Sequence, residues 1–374
     1  MRGANALLAA LLVALSLALA PASLRQAVGV VAVIGSVPLG LFLVASNNPS
    51  AWGILGVAFY WVFLVVALEE DRTNRLMGAV LAALFCALIA IGARADAAAY
   101  IGLSTIAAFG LAAPSSQSVR GLVLRWRVLP FACVIAAGAI TFAQARQSGI
   151  ATGGFHGSTQ VTSTGAAGTV HHVSELTSKL SADAVVAYAS SLPDFIAGAF
   201  GGWGLGWLDT PMPRVIVWTV FPLFLLCIFI GLGSMYRGKA LVIGMLVFSV
   251  AFIPTWIAVT GGSAIGHDLQ PRYIYPLVLV VGGTALVHRF RDQKFALTSW
   301  QRWAVVVAIS AAQSLALHVN MRRYISGNDV SALNLDVARE WWWLGGLDPN
   351  AVWLIASGAF AVLAFAAMET FRRQ

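Results

Sequence analysis

The sequence predicts an all-α fold: a polytopic bundle of about eleven transmembrane helices, forming a single integral membrane domain over residues 1–374. Three observations carry this. Of the 374 residues, 59% are apolar and only 10% are charged, against roughly 25% charged in soluble domains. The mean hydropathy is +0.82. The apolar residues also come in continuous runs close to the ~20 residues that a helix needs to cross a bilayer, without the roughly ten-residue alternation of a transmembrane barrel. Lipid offers no partner for backbone N–H and C=O, so each run is read as a helix. A soluble enzyme and a disordered chain are excluded. No nucleic-acid partner is expected either, although the isoelectric point lies near 9.9.

The runs fall at residues 5–20, 27–45, 51–68, 76–93, 97–113, 128–145, 214–234, 240–259, 273–288, 303–320 and 350–368, with charge, Pro, Gly or Asn between them. The first, Leu7 to Ala20 followed by Pro-Ala-Ser, resembles a signal-peptide core with a small-residue cleavage site. A short first span, or a start codon placed downstream of the true one, accounts for it equally. Basic residues orient the bundle. With Arg120, Arg125 and Arg127 inside, fourteen of the 23 basic residues and the C-terminus are cytoplasmic, and ten of the 15 acidic residues lie outside.

Two segments are longer than ordinary loops. Residues 146–213 form a long outer loop. Ser148 to Val170 is rich in Gly, Ser and Thr and reads as mobile. Ser174 to Phe200 spaces Leu176, Leu180, Val185, Val186 and Tyr188 as in a helix lying on the membrane surface. Residues 321–349 end in Trp341-Trp342-Trp343, expected to mark an outer-interface helix entering the last span, since Trp favours the headgroup level.

Cys86, Cys133 and Cys227 lie inside apolar runs with no CxxC or Cys/His spacing, so neither a disulfide framework nor a zinc site is expected. His171-His172 with Glu175, and His156 nearby, match no established ligand pattern. No cofactor is expected, and a divalent metal has no support. His288 and His318 fall at helix ends and are expected at the interface.

Four polar constellations stand at the outer ends of spans. In Gly204-Leu205-Gly206-Trp207-Leu208-Asp209-Thr210-Pro211-Met212-Pro213, Asp209 either caps a helix or acts as a base, and Trp207 either anchors or packs on a ligand. In His267-Asp268-Leu269-Gln270-Pro271-Arg272-Tyr273, Arg272 opens an apolar helix. It either snorkels or pairs with Asp268, or it holds a phosphate in two-point fashion. Asn47-Asn48-Pro49-Ser50 is a polar turn, and Arg94-Ala95-Asp96 a charged one. Each needs no function to explain it, yet both face the same side as the other two.

The NPS string, GWLDTPMP at a loop-to-helix junction and QPRYIYPLVL opening a late span together resemble domain-of-unknown-function family 2142, a large bacterial family of multi-spanning membrane proteins. There the strings usually read NPSGLE, GWLDTPLP and QGRYFLPLLP, in the same order and spacing. The resemblance runs from about residue 27 to the C-terminus, and GWLDT is its most specific part. The family is similar to GT-C membrane glycosyltransferases, which take a sugar from a polyprenyl-phosphate carrier on the outer face of the membrane. The acidic, proline-containing motif usual in the family's first outer loop has no counterpart, so one span and its loop are expected to be missing.

The resemblance implies a GT-C-like glycosyltransferase, or a degenerate relative, in the bacterial inner membrane, with membrane lipid and a lipid-linked sugar as partners. Asp209 and Asp96 would be catalytic. Arg272, Tyr273, Trp207, Asn48 and Arg94 would bind substrate. The alternative is a non-catalytic membrane protein, either a lipid-linked-sugar transporter or an assembly partner. Transport sites carry charged or helix-breaking positions near the midplane, whereas here the polar groups cluster at the outer mouth.

In a cysteine-free background, a cysteine at Thr164 is expected to react with an impermeant thiol reagent in intact cells. Protection there, with labelling near Arg125, overturns the orientation.

Overall fold

A computed structural model describes residues 1–69, 73–112, a few positions between 130 and 138, and 182–205, 210–261, 269–288 and 295–372. Twelve α-helices can be delimited there: α1 Arg2–Leu19, α2 Ala22–Val33, α3 Leu39–Val44, α4 Ser50–Glu69, α5 Thr73–Ala93, α6 Asp96–Ala112, α7 Ala182–Ala197, α8 Arg214–Leu232, α9 Arg237–Gly261, α10 Pro271–Leu286, α11 Ser299–Ile325 and α12 Pro349–Glu369. No strand is present among the described residues, only two isolated bridges. Seven helices (α1, α4, α5, α8, α9, α11 and α12) are long and apolar enough to cross a membrane, and Leu24–Val33 and Asp96–Leu111 are shorter apolar helices. The chain is a polytopic helical membrane protein.

The helices follow the apolar runs closely, with one break. The run at 27–45 was expected to be one span, but it divides into α2 and α3 at a turn over Ile34–Pro38. Pro38 has no N–H to donate and disfavours helix in the residue before it, so α2 cannot continue through it. Most of the expected span at 128–145 lies outside the described residues, as do Ser148 to Val170, Leu176 and Leu180 of the long loop. Its later part contains α7, which ends in a π-helical turn, Gly198–Gly202. Gly201 has φ +95°, a backbone that a side chain would strain, and an added Cβ would lie 2.9 Å from Pro38 Cγ.

The chain forms two compact units. One comprises Met1–Asn47, Ala197–Met235 and Ala285–Gln374. In it α11 packs on α12 and α8, and α2 packs on α12. Trp353 Nε1 donates to the Ser314 carbonyl at 2.9 Å across the α11–α12 pair, and Arg302 is ion-paired with Glu369. Thr298 and Gln301 form a reciprocal capping box at the start of α11, and Asp348 caps α12 with Pro349 in its first turn.

Two expectations in this unit are corrected. The triple tryptophan is not helical; Trp341–Trp343 run as irregular chain. The amides of Glu340 and Trp341 both donate to the Ile325 carbonyl at the end of α11, and this holds the segment as a strap and leaves no helical register. His288 and His318 are buried, each 4% exposed, and do not sit at open helix ends. His288 Nε2 meets Gln26 Oε1 at 2.9 Å, and His318 Nε2 meets the Leu333 carbonyl at 2.8 Å. A buried imidazole needs such partners, and short-range hydropathy does not reveal them.

The other unit comprises Asn48–Ile196 and Tyr236–Thr284. Its centre is α4, whose residues are buried from Ser50 to Leu68 apart from Trp52. It is apolar on every face, as a helix must be when neighbours surround it. Small residues allow α5, α6, α9 and α10 to come close. A Cβ on Gly56 of α4 would lie 2.6 Å from both Ala90 Cβ and the Cys86 carbonyl of α5. A Cβ on Gly110 of α6 would lie 2.4 Å from Val242 of α9, and one on Gly283 of α10 would lie 2.7 Å from the Trp61 ring. Tyr60 and Thr105 share a buried hydrogen bond of 2.6 Å between α4 and α6.

Gly56→Val is therefore expected to push α4 and α5 apart and cost about 1–3 kcal/mol, the usual range for overpacking. Gly92→Val, at a site where a Cβ meets nothing within 4 Å, serves as the control. Thermal unfolding in detergent separates the two; equal midpoints would mean that the α4–α5 contact tolerates a wider spacing.

Candidate functional site

Three helices of the second unit begin beside one side chain. Arg94 occupies the short link between α5 and α6. Its Nε donates to Asp96 Oδ1 at 2.8 Å and its Nη2 to Oδ2 at 2.6 Å, a bidentate pair that occupies both carboxylate oxygens. Its Nη1 donates to Ser50 Oγ at 3.0 Å. Its guanidinium carbon stands 4.8 Å from the centroid of the Tyr273 ring. Ser50 opens α4, Asp96 opens α6, and Tyr273 lies in the first turn of α10. The positive ends of three helix dipoles therefore gather around this residue.

The sequence places these groups deliberately. Asn48 Oδ1 accepts from the Ser50 amide at 2.9 Å, closing the turn that starts α4 and presenting the Ser50 hydroxyl. Gly53, one turn further on, leaves room for the Arg94 stem; a Cβ there would lie 3.1 Å from Arg94 Cδ. Asp96 is 1% exposed. Burial alone lowers the pKa of Arg94, but the hydrogen bond and charge of Asp96 outweigh it and raise the pKa above the ordinary arginine value. The cation is thus locked in its charged form.

Arg272 supplies a second guanidinium, 5.4 Å from the same Tyr273 ring. Its Nε is buried without a hydrogen-bond partner, and no acidic side chain pairs with it among the described residues. Tyr273 itself is 6% exposed. Below the cluster a small hollow is lined by Asp96, Tyr100, Pro254, Ile257, Leu269 and Tyr273. The described part of the cluster holds two guanidinium charges and one carboxylate, so it carries a net positive charge.

The structure brings together Asn48, Arg94, Asp96, Arg272 and Tyr273, which the sequence held in three separate strings. Asp209 and Trp207 lie outside the described residues, as do Asp268, His156, His171, His172 and Glu175. Leu205, just before the GWLDT string, and Thr210, its last residue, exchange backbone hydrogen bonds of 2.9 and 3.3 Å. Tyr100 and Gly53 were not anticipated. Tyr100 stands four residues after Asp96 and hence on the same face of α6, a spacing visible in the sequence. The role of Gly53 depends on where Arg94 lies, which no local pattern gives. Among the described residues no group of three or more His, Cys, Asp or Glu side chains could hold a metal ion.

A family model described as "Predicted membrane protein (DUF2142)" matches residues 1–281. The chain belongs to this family. The match begins earlier than residue 27 and stops at 281, short of the C-terminus; it takes in the NPS, GWLDT and QPRYIYP strings, so every residue of the cluster lies within the matched part. No curated protein and no solved structure is detectably similar to the chain.

Asp96→Asn is expected to destabilise the protein by about 3–5 kcal/mol, because it leaves a buried cation without its counter-charge. Combining it with Arg94→Met should cost clearly less than the sum of the two single losses. Unfolding midpoints of the four proteins of this cycle measure the coupling; additive losses would show that the pair is not a unit.

Proposed function

We propose that the cluster around Tyr273 binds the phosphate of a polyprenyl-phosphate-linked sugar, and that the protein is a GT-C-like glycosyltransferase, or a degenerate relative, serving cell-envelope glycan synthesis in the bacterial inner membrane with its C-terminus cytoplasmic. The observation that carries this reading is Arg272: a guanidinium with a buried, unpartnered Nε, beside a second guanidinium already neutralised by Asp96. A buried cation with no acidic partner among the described residues calls for an anion. A guanidinium suits a phosphate because its fork matches two oxygens.

In glycosyl transfer an acceptor hydroxyl attacks the anomeric carbon. The bond from that carbon to the phosphate oxygen breaks, and polyprenyl phosphate departs as an anion. Positive charge at the phosphate favours that departure. The hydroxyl proton needs a base. Asp96 is already taken up by Arg94, which makes Asp209 the stronger candidate for the base and Asp96 the residue that fixes Arg94. The same observation favours a second reading, binding of the lipid-linked sugar without transfer, as in a transporter or an assembly partner.

Purified protein in nanodiscs, titrated with a polyprenyl phosphate, tests the phosphate contact. Charge-assisted contacts are worth about 1.5–3 kcal/mol, roughly a 10- to 150-fold change in affinity. Arg272→Lys should lose a clear part of that and Arg272→Ala more. Equal binding by wild type and Arg272→Lys removes Arg272 from the site. Release of polyprenyl phosphate from the sugar-loaded carrier, abolished in Asp209→Asn, marks an enzyme; binding without release marks the second reading.

A further inference from the structure

The first unit contains a cavity of about 580 Å³, within the roughly 300–1,000 Å³ usual for small-ligand sites. Three walls bound it: α3 through Leu41 and Phe42, α11 through Leu317 and Met321, and the strap through its three tryptophans. Polar side chains on these walls offer little to a ligand. Ser46 turns its hydroxyl back onto the Leu43 carbonyl at 2.7 Å, and the side-chain oxygens of Gln313 and Asn320 are closed off from the space. The three walls present mainly hydrocarbon and aromatic ring.

The cavity has a direction. Gln26, near the start of α2, donates to the carbonyls of Phe295 and Thr370, which stand just before α11 and just after α12. α1 ends at Leu19, two residues before α2 begins, and so on that same side. Near the other end of α1, Asn5 Nδ2 donates to the Ser46 carbonyl just after α3, at 2.7 Å. The start of α1 and the ends of α3 and α11 therefore gather at the opposite membrane surface. Arg2, Ser46, Tyr324 and the tryptophans form the mouth of the cavity there, and Pro38 and Gln313 form its floor. From Tyr324 down to Gln313, α11 falls by about 16 Å at roughly 1.5 Å per residue. One leaflet of the hydrocarbon core is about 15 Å deep.

Tryptophan favours the depth of the headgroups, and the strap holds its rings at the mouth. Trp342 Nε1 donates to the Leu347 carbonyl at 2.7 Å. Trp343 meets Trp341 and Trp342 edge to face, with centroids 4.9 and 4.7 Å apart. The side of the cavity passes into the outward surface of α12: Val352 lines it, and Leu354 and Ile355 beside it are 62% and 61% exposed. Water gains few hydrogen bonds in an apolar space, whereas hydrocarbon adjoins this one. Arg2 adds a positive side chain at the mouth, where the phosphate of a lipid headgroup lies. We propose that the cavity seats one acyl chain of a membrane phospholipid, lying lengthwise between α3 and α11 with its headgroup at the tryptophan strap. This seat lies within the first unit and does not rest on the phosphate reading of the arginine cluster.

The test is photo-labelling of the full-length protein in nanodiscs that contain phosphatidylglycerol with a diazirine at one of two depths in an acyl chain, followed by peptide mapping. A diazirine near the ester should label 321–324 and the strap, and one near the chain end should label 313–317. Ala45 lines the cavity at an exposed position, so Ala45→Trp fills the space without displacing the core. It should lower label in 313–324 at least five-fold and leave label on the outward stretch 354–363 of α12 unchanged. Should that variant fail to fold, the depth order in the wild type decides alone. Label present on 354–363 and absent from 313–324 puts water or protein in the cavity and overturns the proposal. So does labelling that ignores the depth of the diazirine, or label that a folded Ala45→Trp retains. Displacement of the label from 313–324 by equimolar polyprenyl phosphate also overturns it, and makes the cavity a seat for an isoprenoid chain.

Discussion

A polar group surrounded by apolar atoms must find a partner or pay several kcal/mol for lacking one. In this protein that cost shapes every level of structure. It makes the apolar runs helical, because only a helix satisfies its backbone internally. It turns small hydroxyls back onto their own helix: Thr105 donates to the Ile101 carbonyl, Thr219 to Val215, Ser249 to Met245 and Thr255 to Ala251, each at 2.7–2.8 Å. It explains why Gln26, 2% exposed, donates to two carbonyls, those of Phe295 and Thr370, and meets His288 with its oxygen. The Arg94–Asp96 pair obeys the same rule with full charges. Arg272 Nε is one of several buried polar atoms among the described residues that depart from it.

The same cost explains how much of the fold was legible. A span must be apolar along its length, so hydropathy alone located α4, α5, α8, α9, α11 and α12 within a few residues at either end. It located α2 and α3 as one run because Gly35, Ser36 and Pro38 are too few to interrupt the average, although Pro38 alone suffices to stop a helix. The tryptophan strap was misread for a related reason. Trp at the interface is a statement about depth, and depth does not specify backbone conformation. The path of the strap follows from two amides bonding to the Ile325 carbonyl, sixteen residues before Trp341, which local sequence cannot show.

The cluster was legible as parts and not as a whole. Asn48, Arg94, Asp96 and Arg272 stood out because charged or turn-forming residues are rare in such a sequence and sit where spans begin. Their convergence required α4 to bring α5, α6 and α10 around itself, which depends on glycine contacts such as Gly56 on Ala90 and Gly283 on Trp61. Those contacts leave no periodic mark, since a helix that is apolar all round has no preferred face. Asp96 was also assigned a role from its type alone. A carboxylate in a polar turn suggests a base, but the bidentate grip of Arg94 makes it the counter-charge that holds a cation in place.

The division of labour between the two arginines follows from charge balance. Without Asp96, two guanidinium groups beside one ring and three helix N-termini would concentrate positive charge in a buried place and oppose folding. With both acids and bases paired, nothing would remain to attract a ligand. Among the described residues, one carboxylate against two guanidiniums leaves a single positive charge unbalanced beside the buried Tyr273 ring. Arginine fits that post better than lysine. Its charge is spread over a plane, whereas an ammonium group is more strongly hydrated and would lose more on burial.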